Sequence, residues 1–195
     1  MLDAADRRAL YTELETIPGL CVPHVHLRSD CDTSEIDYLA RRFGTEAFNI
    51  HPRASSHPFS SVPVAWASRI FVENVDIPPE DAELALVGGI CPDFSHLENA
   101  RLQGRMSYVE RVTDQLGRFD IGCCHVSAVR VGVPNQWSGE WDHHEYIGLD
   151  DFAYMQRWLY RLPARWASLE LENSLDEQLA VRRYLESISG TATLP

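Results

Sequence analysis

The stretch MSYVERVTDQLGRFDIGCCHVSAVRV (residues 106–131) decides the fold. Its first half has the pattern of an amphipathic helix, and its second half is an apolar run typical of a buried strand. A helix that leads at once into such a strand indicates a crossover unit, which joins parallel strands. The stretch therefore predicts an α/β protein with a parallel sheet.

The same alternation continues on both sides of this stretch. Further strands are predicted in LCVPHVHL (20–27), EAFNIHP (46–52), RIFVENV (69–75), GGICPDFSH (88–96) and WASLELEN (166–173). Further helices are predicted before residue 16 and in SEIDYLARRF (34–43), PPEDAELAL (78–86), DDFAYMQRWLYRL (150–162) and SLDEQLAVRRYLESI (174–188). The last of these opens with Ser174 and Glu177 in a capping-box pattern.

Six strands, each followed by a helix or a loop, predict right-handed crossovers within one parallel sheet. Apolar runs covered on both faces suit either a doubly wound sheet or a (β/α) barrel. No glycine-rich phosphate loop follows any strand, so the barrel is the stronger prediction. Residues 1–195 are expected to form a single domain.

The charge of the chain argues against nucleic acid as a substrate. There are 17 basic and 29 acidic residues, which gives a formal net charge of −12. Proteins that grip a duplex by its phosphates normally present a basic face. No apolar run is long enough to cross a bilayer or to act as a signal peptide, so a cytoplasmic location is expected. The five cysteines lack CxxC spacing and are expected to be reduced and mostly buried.

Side chains that can bind metal ions recur at the ends of all six predicted strands. In a parallel barrel these ends open onto one face, where active sites lie. Imidazoles and carboxylates bind Zn²⁺ or Mn²⁺, whereas an unpaired buried carboxylate is costly. Few basic partners lie nearby, namely Arg28, Arg53 and Arg130. The candidates are His24, His26, His51, Glu73, Asp93, His96, His125, Asp142, His143, His144, Glu170 and Glu172.

Each candidate also has an ordinary structural explanation. A single histidine at a strand end is usually hydrogen-bonded in a core or a loop. Asp93 and His96 could cap a helix, and Glu73 could pair with a neighbouring strand. His143 and His144 could belong to a solvated loop. These explanations would have to hold at six strand ends together, so a metal site is favoured.

The order of these motifs resembles the xylose isomerase-like superfamily of TIM barrels. That superfamily includes sugar isomerases and epimerases and the endonuclease IV type of AP endonuclease. The matching pieces are PHVHL (23–27), NIHP (49–52), VEN (72–74), DFSH (93–96), CCHVS (123–127), DHHEYIG (142–148) and SLELEN (168–173). The likeness covers nearly the whole chain from about residue 20 onward.

The resemblance implies a ligand set for one to three Zn²⁺ or Mn²⁺ ions. Its core is Glu73, Asp93, His125 and Glu170, with His96 as a further ligand or substrate contact. Members with two or three ions also use residues that match His24, His51, Asp142 and His144. His26 shares strand parity with His24, and Glu172 shares it with Glu170, so either neighbour could be the ligand. The expected substrate contacts are His26, Arg28, Trp141 and Glu172.

The chain also departs from the superfamily. Barrels of this kind have eight strands, and the first two strand–helix units have no counterpart here. The helix after the second strand is replaced by the loop HPRASSHPFSSVPVAW (51–66). We therefore expect an incomplete, TIM-like barrel of six parallel strands. An uncovered sheet edge invites pairing, so a homodimer is also expected.

Three functions are compatible with these residues. The first is a sugar or sugar-phosphate isomerase or epimerase, in which a metal ion polarises oxygens of a small polyhydroxylated substrate while Glu73 and Glu170 exchange the proton. The second is a zinc-dependent phosphoester hydrolase resembling endonuclease IV. The third is a degenerate barrel that binds without catalysis. One bound ion favours the first function, and two or three ions favour the second.

Overall fold

The computed structural model describes residues 2–59, 61–163 and 165–190. Its helices are α1 (Ala4–Leu14), α2 (Thr33–Phe43), α3 (Asp81–Leu84), α4 (Phe94–Leu102), α5 (Met106–Arg118) and α6 (Leu175–Ser189). Its strands are β1 (His24–His26), β2 (Ala47–Ile50), β3 (Ile70–Glu73), β4 (Gly89–Cys91), β5 (Cys123–Val126), β6 (Ala128–Val129), β7 (Asp142–His143) and β8 (Trp166–Leu169). Short 3₁₀ helices cover Val64–Arg69, Leu149–Arg157 and Leu159–Arg161.

Parallel strands form the centre of the molecule. Strands β1, β2, β3 and β4 form a four-stranded sheet in that order, and β5 pairs with β8. Two isolated parallel bridges, Ile90–Ile121 and Asp93–His125, join β4 to the β5 region. The predicted α/β class with a parallel sheet is confirmed.

The two faces of these strands have different surroundings. In β3, Ile70 and Val72 belong to the large core that packs against the helices. Phe71, on the other face, belongs to a small inner cluster with Ala47, Cys91, Cys123 and the partly buried Trp166. Glu73 shares the parity of Phe71, so it faces the same interior one layer closer to the strand ends.

The ring of Phe71 occupies space that two glycines leave open. A Cβ atom built on Gly122 would lie 1.9 Å from a ring carbon of Phe71, and one on Gly88 would lie 2.9 Å from that ring. Only residues without a side chain fit at these two positions. The inner cluster is therefore close-packed directly beneath the polar strand ends.

The first and last parallel strands also contact each other. The Nδ1 atom of His24 in β1 lies 2.7 Å from the Oγ atom of Ser168 in β8. The rings of His24 and His125 approach to a centroid distance of 5.2 Å. Strands β1 and β8 are therefore in contact through their side chains.

Several local predictions differ from the structure. The predicted strand after α5 divides into β5 and β6, and β6 pairs antiparallel with β7. The segment predicted as a helix over residues 150–162 forms 3₁₀ turns. Helix α4 was not predicted, whereas α6 begins at the predicted N-cap Ser174 with its capping box.

All five cysteines are free thiols, and every one except Cys21 is buried, as predicted. Within the described residues, no helix combines the length and the apolar character needed to span a membrane.

The contact between Phe71 and Gly122 yields a stability prediction. We expect Gly122→Ala to lower the free energy of unfolding by about 1–3 kcal/mol, because the added methyl group overpacks the interior. The matched control is Gly117→Ala within α5, where an added Cβ meets nothing within 4 Å. The control should be neutral or stabilising by up to about 1 kcal/mol. Urea denaturation measures both, and equal effects of the two substitutions would contradict the packing account.

Candidate metal centre

Four strands bring acidic and imidazole groups together at one end of the interior. Glu73 is the last residue of β3, and Asp93 follows β4 by two residues. His125 lies in β5, and Glu170 directly follows β8. One potential ligand atom from each of these four residues lies within 4.8 Å of all the others. The predicted core set therefore converges in space.

Glu73 lies at the centre of this arrangement and is only 2% exposed. Its Oε2 atom accepts a hydrogen bond of 2.5 Å from Asn49 Nδ2 and lies 3.6 Å from His26 Nδ1. Its Oε1 atom lies 3.6 Å from His125 Nδ1. Both carboxylate oxygens thus face imidazole nitrogens, and the amide of Asn49 fixes their orientation.

Three buried polar atoms around this cluster have no hydrogen-bond partner: Asp93 Oδ2, His125 Nδ1 and Asp142 Oδ1. His125 Nδ1 does approach Glu170 Oε2 at 3.2 Å, but without the geometry of a hydrogen bond. Leaving a buried polar atom unsatisfied costs about 1–3 kcal/mol. A cation bound within the four-residue group would satisfy Asp93 Oδ2 and His125 Nδ1, so this donor set fits a metal ion. Asp142 belongs to no group of potential ligands in the described residues.

Asp93 shows how one carboxylate serves two purposes. Its Oδ1 atom caps α4 by accepting hydrogen bonds from the backbone nitrogens of Ser95 and His96. The capping explanation considered for this residue is therefore confirmed. Capping uses one oxygen only, and the other remains directed at the cluster without a partner. Asn74 holds the loop in place, because its amide bonds both the backbone N–H and the carbonyl of Asp93.

A second group of potential ligands shares Glu73 with the first. It consists of His26, His51 and Glu73, whose ligand atoms again lie within 4.8 Å of one another. The rings of His26 and His51 meet edge to face at a centroid distance of 4.7 Å. Burial lowers the pKa of His26 to about 4 and also lowers the pKa of His51. Both rings are therefore neutral at pH 7, which is the form that binds metals.

Further charged side chains extend the cluster toward the β6–β7 hairpin. His96 Nδ1 lies 3.3 Å from Asp142 Oδ2, and His96 Nε2 lies 3.6 Å from Asp93 Oδ2. Asp142 belongs to β7, so the antiparallel hairpin is what delivers it to the strand ends. Although burial acts in the opposite direction, His96 lowers the pKa of Asp142 and His125 lowers the pKa of Glu170, with a smaller contribution from His144 to each.

The charges of the cluster do not balance without a cation. Burial lowers the pKa of His96, but the carboxylates of Asp93 and Asp142 together have the larger effect and raise this pKa to about 10. Burial also lowers the pKa of His125, but Glu73 and Glu170 together raise it above its ordinary value. Two protonated imidazoles thus face four carboxylates, those of Glu73, Asp93, Asp142 and Glu170. The excess is two negative charges. Because a metal ion that binds an imidazole displaces its proton, two divalent ions would neutralise the four carboxylates.

The structure separates the two histidines of β1. His26 lies with Glu73 and His51, whereas His24 lies deeper, in a group with Cys91 and Cys123. Sequence reasoning left open which of the two is the ligand, and the geometry places His26 at the carboxylate cluster.

Of the four expected substrate contacts, His26 belongs to a ligand group and the other three lie outside these groups. Arg28 pairs with Asp30, and one guanidinium nitrogen, Nη1, is buried without a hydrogen bond. Glu172 lines an open cavity together with His144. Trp141 is partly buried, and its backbone N–H donates to Asn99 Oδ1. None of these three belongs to a group of potential metal ligands in the described part of the chain.

Asn49, Cys91, Cys123 and Ser168 were not predicted as site residues, although all four line this interior. Asn49 did leave a signal, because it is a polar residue within the apolar run EAFNIHP. The cysteines left none, since a buried thiol is also an ordinary core residue.

The chain has no detectable similarity to known proteins in three comparisons. No model of a known protein family matches it, and neither do any curated protein sequences or solved structures.

The raised pKa of His96 yields a prediction for the metal-free protein. A folded-state pKa of about 10, above the ordinary value of 6.5, stabilises the fold below pH 6.5. This stabilisation is lost as the pH rises toward 10. We therefore expect the free energy of unfolding, measured with a chelator present, to fall over this window less steeply in His96→Asn than in the parent. His57→Asn, at an exposed histidine, is the control and should keep the parental slope. If the free energy of unfolding fell equally steeply with pH in all three proteins, this result would contradict the raised pKa of His96.

Proposed function

We propose that this chain is a metal-dependent hydrolase that binds at least two divalent ions and cleaves a phosphate ester of a small, polar molecule. The observation that carries the proposal is the overlap of the ligand groups, one of which is His26, His125 and Glu170. Glu73 belongs to two others, with His26 and His51 in one and with Asp93, His125 and Glu170 in the other. A carboxylate shared in this way is suited to bridge two ions, one bound by each group.

We further propose that the parallel strands form a small, TIM-like barrel. Two observations support this arrangement. The bridges Ile90–Ile121 and Asp93–His125 connect the four-stranded sheet to the β5–β8 pair. The His24–Ser168 contact then joins β8 back to β1. The homodimer expected at an open sheet edge stays a prediction, because this contact is a single side-chain pair.

The donors suit Zn²⁺ or Mn²⁺, because they combine imidazole nitrogens with carboxylate oxygens. Two such ions, when bound, activate a water molecule at neutral pH and stabilise the charge that develops on the phosphoryl and leaving oxygens. The protein holds the donors in place. Asn49 orients Glu73, the start of α4 orients Asp93, and the β6–β7 hairpin carries Asp142.

A cavity of about 480 Å³, in the range of small-molecule sites, is lined by residues that flank Asp142 and Glu170 in the sequence. It is lined by Arg130, Val133, Pro134, Asn135, Gln136, Trp137, His143, His144, Glu145 and Glu172. Two of its residues lie close in sequence to residues of the cluster, since His143 follows Asp142 and Glu172 comes two residues after Glu170. We therefore place the substrate in this cavity.

Arg130 gives this cavity an anion-binding group. It is partly buried, and within the described residues it forms no ion pair with a carboxylate. A guanidinium binds phosphate oxygens through two parallel hydrogen bonds. The side chain of Trp137, which is 88% exposed, can cover the organic part of a ligand. The net charge of −12 disfavours nucleic acid as the substrate.

A sugar or sugar-phosphate isomerase or epimerase is the second candidate. It is favoured by the position of Glu73 and Glu170, which come from different strands and both approach His125 Nδ1, at 3.6 and 3.2 Å. Two carboxylates placed in this way can remove and return a proton. This reaction needs only one ion, so metal stoichiometry separates the two candidates. Metal binding without turnover of either substrate class would favour a binding subunit.

The shared carboxylate predicts the result of a metal analysis. We expect protein purified without chelator or affinity-tag metal to hold two or more equivalents of Zn²⁺ or Mn²⁺. Glu73→Gln should lose more than one equivalent, because its carboxylate serves both groups, and phosphoesterase activity should fall by about 100-fold or more.

The matched control is Glu46→Gln. Glu46 directly precedes β2 at the opposite end of the strands and pairs with Arg165 on the surface. This variant should keep the full metal content, as measured by plasma mass spectrometry. A Glu73→Gln protein that is folded and retains every equivalent would overturn the proposal.

Arg130 predicts the behaviour of a substrate-binding variant. With a chromogenic aryl phosphate as the substrate, Arg130→Gln should raise KM about tenfold or more while kcat changes little. The reason is the loss of charged hydrogen bonds worth about 1.5–3 kcal/mol, which act on bound substrate and transition state alike. Arg41→Gln, at an arginine 81% exposed on α2, is the control. If KM and kcat of Arg130→Gln equal those of the parent protein, Arg130 does not bind the substrate.

A further inference from the structure

We infer that a second, sulfur-containing metal site lies beneath the carboxylate cluster, formed by His24, Cys91 and Cys123, and that it takes Cu⁺. The three potential ligand atoms lie within 4.8 Å of one another. Both cysteines are completely buried, and His24 is partly buried. This inference is independent of the proposed hydrolase function, because none of the three residues belongs to the ligand groups that share Glu73.

Strand alternation places this site one layer deeper than the first. On three strands a sulfur or nitrogen donor precedes a ligand of the upper cluster by two residues. The pairs are His24 and His26, Cys91 and Asp93, and Cys123 and His125. Side chains two residues apart on a strand point to the same face. The interior therefore contains two stacked donor layers, a sulfur-rich layer below an oxygen-rich layer.

The donors select the kind of ion. Thiolates are soft ligands and favour Cu⁺ or Zn²⁺, whereas carboxylates favour harder ions. Structural Zn²⁺ sites almost always have four protein ligands, and catalytic ones keep a position open to water or substrate. Here three donors meet, of which Cys91 and Cys123 are fully buried in the inner cluster and His24 is partly buried. A set of three donors, two of them thiols, suits Cu⁺ better than Zn²⁺.

The hydrogen bonds of His24 determine how much free energy it costs to bind Cu⁺ here. His24 Nδ1 contacts Ser168 Oγ at 2.7 Å, and His24 Nε2 contacts Asn49 Oδ1 at 2.9 Å. One of these two hydrogen bonds is exchanged for a metal–nitrogen bond, and the other keeps the ring oriented. Donors that bind one ion at about 2.0–2.3 Å lie no more than about 4.6 Å apart, so the three atoms need to move only slightly.

The test is an anaerobic titration with Cu⁺ against a chromophoric Cu⁺ chelator, in the full chain with its zinc or manganese bound. We expect one tightly held equivalent of Cu⁺ in the parent protein. Cys91→Ser and Cys123→Ser should each weaken binding of this equivalent by about 100-fold or more, because a hydroxyl is a poor ligand for a soft ion. Zinc or manganese content should stay unchanged, which separates this site from the upper cluster.

Cys124→Ser is the matched control, because Cys124 is equally buried and adjacent in sequence but belongs to the outer core. It should bind Cu⁺ like the parent. X-ray absorption of the copper-loaded parent provides a measurement that needs no variant, and it should show two sulfur scatterers and one nitrogen scatterer. A copper spectrum with nitrogen and oxygen only, a Cys91–Cys123 disulfide in the purified protein, or equal Cu⁺ affinity in folded Cys91→Ser would overturn the inference.

Discussion

The structure depends on the burial of charged groups that do not neutralise one another. Glu73 and Asp93 are almost completely removed from solvent, yet Asp93 Oδ2 and His125 Nδ1 have no hydrogen-bond partner. Burial without a partner destabilises a fold unless something else supplies the missing charge. Raised imidazole pKa values at His96 and His125 offset only part of the negative charge. A divalent ion is the simplest group that satisfies these atoms together, and the proposed chemistry follows from it.

The fold concentrates these groups through two simple rules. Parallel strands end on the same side of the sheet, so residues distant in sequence meet there. Alternation along each strand then assigns neighbours to different faces, as in β3, where Phe71 and Glu73 face the interior while Ile70 and Val72 face the helices. Glycines at 88 and 122 let the ring of Phe71 fill the space below. The site is thus built on strands and on the residues directly after them, and a packed layer supports it from below.

The sequence predicted the α/β class, the parallel strands and the gathering of polar residues at the strand ends, because each depends on a pattern local to one strand. Only the family resemblance singled out Glu73, Asp93, His125 and Glu170 among those residues. The sequence could not separate His24 from His26, since alternation fixes the face of a strand but not the depth along the interior. The β6–β7 hairpin was also missed, because its paired segments are only two residues long and leave no periodic pattern. The 3₁₀ turns at Leu149–Arg157 carry helix-like spacing, so that pattern alone was misleading.

Crystallography of zinc-loaded protein, with anomalous diffraction recorded at the zinc edge, tests the central claim most directly. The account predicts at least two anomalous peaks at the strand ends, about 2.0–2.2 Å from their ligand atoms, with the carboxylate of Glu73 bound to both ions. Density that shows no ion there, with Asp93 Oδ2 and His125 Nδ1 satisfied by protein groups or water, would contradict it.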